Sequence, residues 1–110
     1  MITREQLDGF QCSDEPISVS VITFRINSLV TDANRKKLRA SDITDWLISI
    51  NILAMIEIGG KNFKFPTKIG EALGLSVERR ETETGELYDV VVNNRDAQEF
   101  IIHHLAERYG

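Results

Sequence analysis

The chain has 110 residues, a formal charge of −4 and a single cysteine, Cys12. That length fits one compact domain with one hydrophobic core and calls for neither a disulfide nor a structural metal. Apolar residues at 42% and charged residues at 27% exclude a disordered chain, and the acidic total excludes nucleic-acid binding through bulk charge.

The longest unbroken apolar run, Ile52 to Ile56, is far too short to cross a membrane. A lone cysteine fits a reducing cytoplasm, and the opening Met1–Asp8 carries acid where a signal peptide carries an apolar run. Charge is unevenly spread. Residues 32–68 hold seven basic and four acidic side chains, whereas both flanks are acidic. A local basic patch therefore centres on Arg35, Lys36, Lys37 and Arg39, with Lys61, Lys64 and Lys68 nearby in sequence; the plain alternative is a solvated charged face.

Residues 1–15 read as a polar segment with a weak helix at 3–8, and 16–110 as a single domain. Pro16 suits the first turn of a helix. Ile17, Val21, Ile22, Ile26, Leu29 and Val30 then recur at helical spacing. The β-branched run Ile17–Val21 also suits a strand, but Arg25, Asn27 and Ser28 fall on the opposite helical face, which favours helix. Thr31 or Asp32 caps a short polar helix over Asp32–Leu38. Ser41 is the expected N-cap of the next helix, with Asp42 and Asp45 at its positive end. Ile43, Trp46, Leu47 and Ile50 follow at i, i+3, i+4 and i+7, one buried stripe, with Trp46 as core.

The period then changes. Leu53 to Ile58 is apolar and β-prone, Gly59-Gly60 is a turn, and Phe63 and Phe65 alternate with Lys64: a hairpin that Pro66 ends. Thr67 caps a helix over Lys68–Leu73, stopped by Gly74. A second hairpin runs from Leu75 to about Glu83 and from Glu86 to Val92, turning at Thr84-Gly85. Asn93 or Asn94 caps a last helix with the stripe Ala97, Phe100, Ile101, His104 and Leu105.

Helices followed at once by a two-stranded ribbon predict an α+β fold: a winged helix-turn-helix with an additional β-hairpin and a C-terminal helix. Its helix-turn-helix comprises Asp32–Leu38, a turn at Arg39-Ala40-Ser41, and Asp42–Ile50; its wing tip is Gly59-Gly60-Lys61-Asn62. Ile43-Thr44-Asp45-Trp46-Leu47, the hairpin, and Phe63-Lys64-Phe65-Pro66-Thr67-Lys68-Ile69-Gly70 together resemble bacterial winged-helix regulators of the MarR and PadR type over about residues 17–74. In those families a wing strand runs into a Leu-Thr-x-x-Gly turn; here Pro66 replaces the Leu. Asn51 stands where a Gly is common before the wing. Residues 75–109 depart from that pattern and are similar to the tails of small uncharacterised bacterial or phage domains of the antirepressor type.

The resemblance implies transcription regulation and binding of double-stranded DNA. The expected contacts are Arg35, Lys36, Lys37 and Arg39 on phosphates, Lys61, Asn62 and Lys64 from the wing, and Ser41 and Thr44 at the groove. Ser41, Asp42, Thr44, Asp45 and Ile48 form the outward face, and none is a usual base reader; two aspartates there oppose phosphate. A protein-interaction module on the same scaffold is the rival reading. The last helix has a stripe that its own domain or a twin must cover, and terminal helices of the regulators it resembles often form dimers, so a homodimer is expected.

No enzyme, cofactor or metal is expected. Asp96, Glu99, His103 and Glu107 share one helical face, but an exposed polar face explains them better than a metal site. His104 reads as a packing histidine. Cys12 lies near Asp14 and Glu15, whose charges disfavour a thiolate. Gly59-Gly60 and Gly70-x-x-x-Gly74 lack the helix or the Lys-Ser/Thr of a phosphate loop.

Overall fold

The computed structural model describes residues 4–30 and 37–109. Within them the chain is an α+β fold whose elements run α1 (Arg4–Leu7), β1 (Ile17–Ser18), α2 (Val19–Leu29), α3 (Ala40–Ser49), β2 (Leu53–Ile58), β3 (Lys61–Pro66), α4 (Lys68–Leu73), β4 (Leu75–Glu81), β5 (Leu87–Asn93) and α5 (Arg95–Tyr109). Two antiparallel sheets form: the ribbon β2–β3, and a three-stranded sheet ordered β1-β5-β4.

One core gathers every layer. Ile22 and Ile26 of α2, Ile43 and Leu47 of α3, and Ala97, Ile101 and Leu105 of α5 are all fully buried, and Leu7 of α1 joins them. Trp46 is buried and stacks nearly parallel to Phe100, with ring centroids 6.3 Å apart. Ile50, expected in the buried stripe, lies past the end of α3 and is exposed, whereas Ile43, Trp46 and Leu47 of α3 and most of the stripe on α5 are covered by each other and by α2. That removes the sequence-based reason for a twin to cover α5.

Two local expectations need correction, and one open alternative is decided. The helix expected from Pro16, α2, begins at Val19. Ile17 and Ser18 pair with Asn93 and Val92 of β5, and the Ser18 hydroxyl accepts the Val21 N–H to cap α2. Helix α3 begins at Ala40 with Arg39 as its N-cap, not at Asp42 with Ser41, because the Asp42 carboxylate turns back to accept the Arg39 N–H at 2.9 Å. At α5, Asn94 is the cap and Asn93 is the last strand residue: Asn94 Oδ1 accepts the Ala97 N–H at 2.9 Å, whereas the Asn93 side chain donates to the Ile17 carbonyl. The expected helix over Asp32–Leu38 falls mostly outside the described residues.

Candidate functional site

The β2–β3 hairpin is built from the chain reversal after α3. Asn51 adopts a φ of 66°, the left-handed conformation that a glycine takes most readily, and the Ile52 N–H returns to the Leu47 carbonyl at 2.9 Å. Thr67 fastens the other end: its hydroxyl donates to the Asn51 carbonyl at 2.7 Å and accepts the Gly70 N–H at 3.1 Å, capping α4. A Cβ on Gly70 would collide with the Ile52 carbonyl, so the Thr-x-x-Gly spacing has a packing cause. Between these anchors β2 and β3 pair one to one through six rungs, and Gly59 and Gly60 both carry positive φ, as a type I′ turn requires. Six rungs make a ribbon about 20 Å long.

Four of the residues nominated for DNA come together. Ser41, Thr44, Asn62 and Lys64 line one groove of about 460 Å³, bordered by the start of α2 and by Val77, Asp89, Val90 and Val91 of the second hairpin. The aromatic rings of Phe63 and Phe65, 6.4 Å apart, and Leu53 supply the rest of its floor. The groove is therefore mixed rather than cationic, with one lysine and one aspartate.

The other nominated residues are not gathered there. Lys37 and Lys61 are exposed. Arg39 is exposed too and pairs with Asp42 at 3.2 Å, so the carboxylate at the helix start faces a cation of its own segment. Arg35 and Lys36 lie outside the described residues. Asp45 is exposed on the helix face meant for bases, and Ile48 is half-buried.

The sequence reading missed what the ribbon exposes. Met55, Ile56, Ile58 and Phe63 keep 49%, 43%, 56% and 42% of their surface in solvent. Cross-strand pairing sets Ile56 against Phe63 and Ala54 against Phe65, with Ile58 next along the same face. The signal was present in the alternation: with Met55 on one face and Ile56 and Ile58 on the other, a two-stranded ribbon has no layer to bury both.

A second, wider cleft lies between the N-terminal segment and α5, lined by Phe10, Cys12, Arg95, Glu99, Phe100 and His103 among others. Arg95 holds Asp14 at 2.7 Å and Glu99 at 3.4 Å, and the bond to Asp14 raises its already high pKa. Partial burial, then the charge of Glu99, pushes the Cys12 thiol up, with Arg95 opposing. That thiol is poorly suited to act as a nucleophile. Asp96, Glu99, His103 and Glu107 are all exposed, and no group of three potential metal ligands occurs among the described residues. His104 lies half-buried against Phe100, its ring 4.5 Å away, and within 3.2 Å of Glu107. No helix among the described residues is long and apolar enough to cross a membrane. Comparison with protein-family models, curated proteins and solved structures returns no match.

Proposed function

We propose that the chain is a protein-interaction module on a winged-helix scaffold, and that the β2–β3 hairpin is its contact surface. One observation carries this reading: three large apolar side chains, Ile56, Ile58 and Phe63, stand exposed together on one face of a short ribbon, with Met55 exposed on the other. Scattered single apolar residues are ordinary on a surface, but a contiguous group marks a contact. A DNA wing works through cations at phosphates, and this ribbon carries only Lys61 and Lys64. Lys64 donates to Thr44, and Arg39 is paired with Asp42. The helix beside it presents Asp45 to solvent and none of the usual base-reading side chains.

Regulation of transcription through duplex DNA is the second reading, favoured by the convergence of Ser41, Thr44, Asn62 and Lys64 on one groove. Fluorescence anisotropy of a labelled mixed-sequence duplex at low salt separates the two. The interaction reading expects no binding that depends on Lys37 and Lys61. Salt-sensitive binding that falls in Lys37→Ala and Lys61→Ala would overturn it.

A further inference from the structure

Three strands of four residues or more present an outer backbone edge: β2 and β3 of the ribbon, and β4 of the three-stranded sheet. Exposed edges invite pairing with another chain, and proteins blunt them with charges, prolines or bulges. Strand β3 is blunted by Lys61, Lys64 and Pro66, and β4 by Glu78, Arg79, Arg80 and Glu81. Strand β2, Leu-Ala-Met-Ile-Glu-Ile, has no proline, no lysine and no bulge, and its only charge is Glu57. It is the one unguarded edge of the three.

Resting on the reading of the hairpin as the contact surface, we infer that the occupant of this edge is a second copy of the chain, added antiparallel through β2 about a two-fold axis at Ile56. A two-fold perpendicular to the sheet must set one residue opposite itself. With Ile56 on the axis, Ala54 faces Ile58 and Met55 faces Glu57, so no charge meets its like. The central row across four strands then reads Phe63, Ile56, Ile56, Phe63, aromatic beside β-branched throughout. Centring on Glu57 sets two carboxylates face to face; centring on Met55 sets Glu57 against Leu53, which is already buried. Charge also favours this region. Each copy carries a net −4, yet 53–66 holds Lys61 and Lys64 against Glu57, so here two acidic molecules meet without acidic excess.

Analytical ultracentrifugation of the full chain tests the inference. The wild type is expected to be a dimer at about 100 μM. Ile56→Lys, which puts two ammonium groups together on the axis, weakens association roughly tenfold or more. Ile69→Lys, at an exposed apolar position on α4, leaves it unchanged. Should Ile56→Lys lose its folded circular dichroism spectrum, Ile56→Cys in a Cys12→Ser background decides. Mild oxidation then links two chains through the new thiols, whereas Leu87→Cys in the same background gives no linked species. A wild type that stays monomeric overturns self-pairing without touching the broader hairpin reading. A dimer indifferent to Ile56→Lys, or one that Ile56→Cys fails to link, overturns it as well.

Discussion

Lys64 donates a hydrogen bond from Nζ to Thr44 Oγ1 across a gap of 3.3 Å, joining the β2–β3 hairpin to α3. The Thr44 hydroxyl also lies 3.2 Å from the carbonyls of Ala40 and Ser41, one turn back on α3. Two residues nominated as DNA contacts are therefore occupied with each other. Thr44→Val keeps the shape and removes the hydroxyl. It should lower unfolding free energy by about 0.5–1.5 kcal/mol, read from the denaturant midpoint with the m-value unchanged. A neutral result would mean that the hairpin and α3 are not held together by this contact.

Gln98 joins segments 85 residues apart. Fully buried, it accepts the Ser13 N–H at 2.6 Å and donates from Nε2 toward the carbonyls of Ser13, Glu15 and Asn93. Gln98→Ala strands several buried backbone groups at once and should cost about 3 kcal/mol. Gln98→Glu should be no better, since a carboxylate cannot donate to three carbonyls. Limited proteolysis should cut residues 8–16 faster in both variants, because Gln98 ties that segment to α5 from within, beside the exposed contacts of Arg95 to Cys12 and Asp14.

Gly70 sits against the Ile52 carbonyl with no room for a side chain. Gly70→Ala should destabilise by about 1–3 kcal/mol through displacement of α4 or the base of β2. Thermal unfolding would show this directly, and a melting temperature equal to wild type would contradict the close approach.

Cys12 should react slowly with iodoacetamide at pH 8. Its pKa is raised by burial and by Glu99, so the thiolate fraction at a given pH lies below that of a free cysteine. The sign of each neighbour is testable. Glu99→Gln removes a raising charge and should move the rate profile to lower pH, whereas Arg95→Ala removes a lowering charge and should move it higher. Profiles displaced the opposite way would contradict the assigned causes.

Much of the fold was legible because periodicity reports burial. The i, i+3, i+4 spacing of Ile43, Trp46 and Leu47 marked α3, Gly59-Gly60 marked the hairpin, and Thr67 marked the cap of α4. What stayed hidden depends on partners distant in sequence. The β-branched run from Ile17 suited strand as well as helix, and what decides for strand at Ile17 and Ser18 is that Asn93 and Val92 lie alongside. The start of α3 moved from Ser41 to Arg39 because Asp42, read as a dipole partner, reaches back to bond the Arg39 N–H. The nominated site was legible in part: chain order placed Ser41, Thr44, Asn62 and Lys64 near one another, but the valines of the second hairpin that share their groove are contributed by the fold alone.

Photo-cross-linking through an unnatural amino acid at Phe63, in cells producing the chain, decides whether the hairpin meets polypeptide or nucleic acid. The expected product is a discrete heavier species that survives nuclease and disappears with protease, with none formed when the same group replaces Glu83 in the opposite turn. A nuclease-sensitive adduct at Phe63, or no adduct beyond that seen at Glu83, would contradict the hairpin as a protein-contact surface.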